Sequence, residues 1–313
     1  MRLAPLLVVV AQVACASDPA TGGAPPLSAG GVAGASGAAG ASGSGGAAAC
    51  TPGPGETCVR ELRGRVVDTS GAPVAGVFAS VCGAVCYAPP PGEVTPADGT
   101  FAFPVGAPLS PSEFSTLVHG RPVWAGFYLP LPATLTATLD LGELPVVALP
   151  PSGPRLAVKG DGAPAQRAVS GELTLIVPAG TELRLDVEDA ALGAAGQELK
   201  VARVPAAALG RFVPAELGAV AAWAISPFEA TLRVVATGEP GLAQVELENV
   251  TALPAGTRVE LLALGSYLFP EWVPPATWAS VAAGAVSADG ARVELDPGQG
   301  LRHLTAVAVK VSP

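Results

Sequence analysis

Side chains that commonly carry catalysis are scarce in this sequence. Its 313 residues include only two histidines, His119 and His303, which lie far apart in the chain. Histidine is the most frequent acid–base catalyst and a frequent zinc ligand. Neither a His-Glu-x-x-His sequence nor a phosphate-binding glycine loop with lysine is present. We therefore expect structural or surface roles for both histidines, and we predict a protein that is not an enzyme, with no catalytic residue, cofactor or metal site.

Charge is also sparse, and the cations do not cluster. Charged residues make up 14% of the chain, with 17 Lys and Arg against 26 Asp and Glu and a net charge of −9. Binding to a phosphate backbone needs clustered cations, so we expect no nucleic-acid partner. Asp186, Glu188 and Asp189 lie close together and could attract calcium, but the EF-hand pattern is absent. We expect a solvated acidic face there.

The N-terminus has the pattern of an export signal. An apolar run from Leu3 to Val13 follows Arg2 and is too short to span a bilayer, which takes about 20 residues. The sequence 12–15, Gln-Val-Ala-Cys, resembles a bacterial lipobox, although leucine is usual where Gln12 stands. The resemblance implies lipidation of Cys15 and assigns residues 1–16 to a signal peptide. Ordinary signal peptidase cleavage after the Ala-Cys-Ala sequence at 14–16 stays open as the alternative.

Residues 17–57 contain mostly Ala, Gly, Ser and Pro, and no charged residue occurs between Pro19 and Gly55. Such a segment has too few apolar side chains to offset its conformational entropy, so we expect a disordered tether. Ala16, rather than aspartate, follows Cys15. By the sorting rule of such lipoproteins, this implies an outer-membrane lipoprotein held to the membrane by its lipid anchor. A secreted or soluble periplasmic protein is the alternative.

The other four cysteines are Cys50, Cys58, Cys82 and Cys86. An even number in an exported chain indicates two disulfides, and the sequence allows three pairings. We favour Cys82–Cys86, across a tight loop, and Cys50–Cys58, at the end of the tether. A zinc site is disfavoured because neither histidine is near a cysteine in sequence.

Glycine (39) and proline (33) are abundant, which opposes long helices and suits short strands joined by turns. In the region 58–150, the segments 64–68, 71–77 and 95–101 carry turn residues at Gly71, Pro73 and Asp98-Gly99 between apolar positions. These segments resemble a carboxypeptidase regulatory-like domain. The resemblance implies a transthyretin-like β-sandwich of the carbohydrate-binding-like fold group, without catalytic residues.

In the region 155–313, a Pro-Ala-Gly turn precedes an alternating strand twice, at 177–185 and again at 253–261. These segments loosely resemble immunoglobulin-like or ZU5-like modules of bacterial surface proteins. They fit one larger sandwich or two small ones. The predicted fold is therefore all-β, with two tandem β-sandwich domains, 58–150 and 155–313, after a disordered N-terminal tether.

Aromatic residues make up only 5% of the chain, yet several cluster near position 270. Exposed aromatic rings can stack on sugars or grip a partner protein, whereas buried rings fill a core. We name Trp272, Trp278, Tyr267 and Trp124 as candidate ligand contacts. The predicted function is a non-catalytic envelope or surface lipoprotein with a structural, adhesive or protein-contact role, in contact with envelope proteins or glycans. The alternatives are a carbohydrate-binding module of the cell surface and, more remotely, an unrecognised hydrolase.

Overall fold

The computed structural model describes residues 50–90 and 92–312. Residues 1–49, which include the predicted signal, Cys15 and most of the predicted tether, lie outside the described residues. The described part is built almost entirely of short strands, which confirms the all-β prediction. Its helical elements are α1 (Val187–Ala191) and three short 3-10 helices, Ala195–Gln197, Ala206–Arg211 and Ala215–Leu217.

Two small sheets make up the first region. Their strands are β1 (Thr57–Val67), β2 (Phe78–Cys82), β3 (Cys86–Tyr87), β4 (Thr100–Leu109), β5 (Ser115–Gly120), β6 (Trp124–Pro130) and β7 (Thr138–Pro145). One sheet has the order β4-β1-β7 and the other β3-β2-β5-β6. Leu62 of β1 and Phe103 of β4 are buried with Leu109 and Leu139 in the core of this region.

The predicted Asp-Gly turn lies directly before β4. Asp98 accepts hydrogen bonds from the backbone N–H and the hydroxyl of Thr100, at 3.0 and 2.7 Å. Gly99 has a φ of 74°, and a Cβ at this position would lie 2.3 Å from the carbonyl oxygen of Val66. Glycine is required here both for its backbone conformation and for the close approach to β1.

A nine-stranded sheet dominates the second region. The strands of this region are β8 (Gln166–Ser170), β9 (Leu173–Val177), β10 (Thr181–Arg184), β11 (Lys200–Arg203), β12 (Ala219–Ser226), β13 (Thr231–Val234), β14 (Gln244–Glu248), β15 (Arg258–Leu264), β16 (Trp278–Val286), β17 (Arg292–Leu295) and β18 (Ala306–Val311). The large sheet has the order β11-β12-β18-β15-β16-β17-β14-β9-β8, and β10 pairs separately with β13. Its two edges approach each other where the Val201 N–H donates to Ser170 Oγ at 3.1 Å. The predicted Pro-Ala-Gly turns precede β10 and β15, with Gly180 and Gly256 at positive φ.

Strands β12, β18 and β15 of the large sheet are buried on both faces over most of their length. In β12, Trp223 and Ile225 face the core of the second region, whereas Ala222 and Ala224 pack with residues of β5 and β6. Ala306 and Ala308 of β18 continue this alanine surface. Small side chains let the two sheets approach closely. The two regions thus share a hydrophobic core within one compact unit, and a domain boundary near position 150 stays a prediction.

Both disulfides form in the favoured pairing. Cys50 pairs with Cys58 at the start of β1, with Cα atoms 5.9 Å apart, and Cys82 pairs with Cys86 across the β2–β3 hairpin, with Cα atoms 4.0 Å apart. Disulfides persist in oxidising compartments, which places the protein outside the cytoplasm. Within the described part of the chain, no helix has the length and apolar character needed to cross a membrane.

The packing of β6 against the second region can be tested with Gly126→Ala. A Cβ at Gly126 would lie 2.6 Å from the ring of Phe228, so we expect a loss of about 1–3 kcal/mol of unfolding free energy in urea denaturation. Gly210→Ala is the matched control, because a Cβ there meets no atom within 4 Å. Equal stabilities for the two variants would contradict the packing described here.

Candidate functional site

A buried cluster of charged side chains lies where the two regions meet. Arg121 directly follows β5, and its side chain is only 6% exposed. Its guanidinium forms an ion pair with Asp186, lies 3.2 Å from Asp189 Oδ2, and lies 3.5 Å from Glu188 Oε2. Three carboxylates of the second region thus surround one cation of the first.

The acidic residues are positioned by the short helix α1. Asp186 is its N-cap and accepts a hydrogen bond from the backbone N–H of Asp189 at 2.7 Å. The side chains of Asp186 and Asp189 are 9% and 1% exposed, and that of Glu188 is 49% exposed. The expectation of a solvated acidic face is therefore wrong for Asp186 and Asp189. Arg121 is distant in sequence, and its burial against them removes both from solvent.

Glu229 and Tyr128 extend the cluster into the interior. Glu229 lies between β12 and β13, and Tyr128 lies in β6 and donates a hydrogen bond to Glu229 Oε1 at 2.9 Å. Glu229 is buried and has a φ of 63°, in the left-handed region that residues with a side chain rarely adopt. Below them, the ring of Phe228 packs against both Tyr128 and the guanidinium of Arg121, with the guanidinium carbon 5.3 Å from the ring centre.

Burial changes the acidity of these groups. It raises the pKa of Asp189 to about 7, and the nearby Arg121 offsets only part of this effect. Burial likewise raises the pKa of Glu229 to about 7, against the opposing effect of the Tyr128 hydrogen bond. Burial works against the charge of Arg121, but its carboxylate partners outweigh that effect, and its pKa is raised. The cluster therefore keeps its cation and holds protons on carboxyl groups near neutral pH.

His119 lies beside the cluster in β5. Its Nε2 is 3.3 Å from Glu188 Oε2, and burial, followed by the positive charge of Arg121, lowers its pKa to about 4. The imidazole is thus neutral above that pH. A cavity of about 220 Å³ opens here, and Phe78, Val94 and Leu192 contribute apolar walls. The expectation that His119 is structural agrees with this burial and with its tilted packing on Phe78.

Of the four candidate aromatic residues, Trp278 lines a second cleft. This cleft has a volume of about 400 Å³ and lies between Pro130, Arg211, Pro214, Glu216 and Trp278. The indole N–H of Trp278 donates to the Phe212 carbonyl oxygen at 3.0 Å, which fixes the orientation of the ring. Ala276, also in the cleft wall, has a φ of 55°. A residue held in this sparsely populated conformation is often found at binding sites.

The other three aromatic residues are occupied by internal contacts. Tyr267 donates a hydrogen bond to the Glu113 carbonyl oxygen at 3.0 Å. Trp124 is half-buried against Gly120, where a Cβ would lie 2.8 Å from its ring. Trp272 packs edge-on against His303, with ring centres 4.8 Å apart. The structure therefore does not place Trp272 and Trp278 together in one groove.

The buried cluster had no recognisable signature in the sequence. Arg121 and Glu229 are distant from the other members of the cluster in sequence, whereas Asp186, Glu188 and Asp189 lie close together. Among the residues that the structure describes, no group of three or more His, Cys, Asp or Glu could hold a metal ion. No protein-family model matches this chain, and no curated protein matches its sequence.

His303 should make stability fall in acid. It is buried, and burial lowers its pKa to about 4 from an ordinary value of 6.5, so its contribution to stability is present above 6.5 and is lost as the pH falls towards 4. In urea titrations, His303→Phe should gain about 2 kcal/mol relative to the wild type between about pH 7.5 and 4.5. If the difference in unfolding free energy between the two proteins does not change with pH, His303 does not titrate in this way.

Proposed function

We propose that this protein is a non-catalytic envelope lipoprotein whose folded part has a structural, adhesive or protein-contact role. The observation that carries the proposal is the junction between its two regions. A shared apolar core and the ion pairs of Arg121 join them into one compact unit. Surfaces on both regions are thereby held in a fixed relation, as a scaffold or contact module requires.

The sequence supports the proposed location in the cell envelope. The apolar run at Leu3–Val13, the lipobox-like sequence ending at Cys15 and the tether of residues 17–57 have the order found in a lipid-anchored protein. Ala16 favours the outer membrane. The two disulfides agree with a location outside the cytoplasm. The resemblance of residues 58–150 to a carboxypeptidase regulatory-like domain belongs to the same proposal, and seven strands in two sheets support it.

Anchoring can be tested at Cys15. We expect the native protein to incorporate labelled fatty acid, to fractionate with membranes and to show a lipidated N-terminal cysteine in mass spectrometry. Cys15→Ser should lose the label and become soluble, because the acylated thiol is absent. Cys50→Ser is the control, since it removes a cysteine that is committed to a disulfide. A mature protein that begins with unmodified Ser17 would exclude the anchor.

A carbohydrate-binding role is the second candidate, and the cleft at Trp278 favours it. An indole ring held in one orientation offers a flat apolar face on which a sugar ring could stack. Arg211, Glu216 and Thr277 supply polar groups around the same cleft. Its volume of about 400 Å³ falls in the range typical of small-ligand sites, about 300–1,000 Å³.

Glycan binding should depend on Trp278. On a glycan array, we expect Trp278→Ala to weaken any binding by about tenfold or more, because stacking on the ring is lost. Trp124→Phe is the control, since Trp124 is a half-buried aromatic residue that does not line this cleft. The cleft is not a sugar site if the folded wild-type protein binds no glycan, or if Trp278→Ala binds glycan equally well. Either result would favour the protein-contact role.

A further inference from the structure

The charges of the buried cluster do not balance. Asp186, Glu188 and Asp189 surround the single cation Arg121, and Glu229 lies close enough to sense the same charges. Glu188 is half exposed to water. If the three shielded carboxyl groups, Asp186, Asp189 and Glu229, were all ionised, they would carry two negative charges more than Arg121 neutralises. Excess charge in a site shielded from water is costly, and neighbouring carboxyl groups share protons to relieve it.

The remaining neighbours do not supply the missing positive charge. His119 is neutral over most of the pH range, and Tyr128 offers only a hydroxyl group. Tyr267 reaches the cluster only through its ring contact with Tyr128. Lys200 of β11 donates to the Pro122 carbonyl oxygen at 3.5 Å and pairs with Glu198 at 3.2 Å, so its charge already has a partner.

Glu229 and Asp189 are the most deeply placed acids of this set. Both are buried, and Asp189 Oδ2 makes an ionic contact with Arg121 but no hydrogen bond. Glu229 is held in a left-handed backbone conformation that points to a position imposed by its surroundings. A proton on either carboxyl group lowers the excess charge without breaking the Arg121–Asp186 pair.

We propose that the Arg121 cluster is a proton-responsive latch between the two β-regions, closed by protonation of Glu229 and Asp189 and loosened when both ionise above neutral pH. The raised pKa of both residues, about 7, supports the proposal and sets its direction. A carboxyl group whose pKa is higher in the folded protein stabilises the fold below its unfolded pKa, and this stabilisation is lost as the pH rises through the folded pKa. The latch thus responds to the pH of the surroundings of an exported protein.

The test compares Glu229→Gln with the wild-type full-length protein. Glutamine keeps an oxygen that can accept the Tyr128 hydrogen bond but cannot ionise. Because the pKa of Glu229 is about 7 in the folded protein and its ordinary value is 4.5, ionisation already separates the two proteins at about pH 5.5. In urea denaturation, the ratio of the wild-type unfolding equilibrium constant to that of the variant should rise by about thirtyfold between about pH 5.5 and 8.5. Because both proteins contain the same histidines, the effect of histidine titration on unfolding cancels in the ratio of the two constants.

Two further measurements make the test decisive. Glu271→Gln removes an exposed charge that is not a member of the cluster and reports the effect of net charge alone. In the wild-type protein, ¹³C NMR of labelled Asp and Glu side chains should show a carboxyl group that titrates between about pH 6 and 8. If every carboxyl group titrates below about pH 5, or if the ratio of unfolding constants is the same at both pH values, the latch does not exist.

Discussion

The burial of Arg121 is the constraint on which the arrangement of the two regions depends. A guanidinium that is 6% exposed cannot lose its proton, and leaving it without carboxylate partners would cost several kcal/mol. Its carboxylate partners all come from the second region, so the burial of this cation depends on the contact between the two regions. The cation also orders its surroundings. Asp186 caps α1 and pairs with Arg121, and the guanidinium packs over Phe228, which in turn fills the space left by Gly126.

Apolar packing also joins the two regions. Strands β12 and β18 place large side chains on one face and alanines on the other. The large side chains close the core of the second region, whereas the alanines let the sheet of β5 and β6 approach closely. Hydrophobic packing is not directional, so it does not by itself fix the register of the two sheets. The Arg121 pairs and the Tyr128–Glu229 hydrogen bond are directional, and they define one arrangement among those that the alanine surface would accept.

Sequence reasoning reached the features of this fold that depend on local chemistry. The Asp98-Gly99 turn, the Pro-Ala-Gly turns before β10 and β15 and the Cys82–Cys86 loop each depend on a few consecutive residues, and each was predictable. The junction was not. Arg121 and Asp186 are 65 positions apart, and Tyr128 and Glu229 are 101 positions apart. The alternating alanines of β12 predict a strand with a small-residue face, but they do not say which sheet covers that face. The aromatic cluster near position 270 was visible in sequence, although only the structure separates Trp278, at a cleft, from Trp272, which packs against His303.

The buried histidines and the buried carboxyl groups have opposite effects on how stability changes with pH. His119 and His303, with pKa values lowered to about 4, favour unfolding as the pH falls below 6.5. Asp189 and Glu229, with pKa values raised to about 7, favour the folded state over much of the same range. Two groups of each kind nearly cancel between about pH 4.5 and 6.5, so these four groups together change the stability little there, whereas the charge of the junction changes mainly around pH 7. These four groups therefore alter the stability of the fold little in moderate acid, and the ionisation that loosens the proposed latch takes place near neutral pH, at the contact between the two regions.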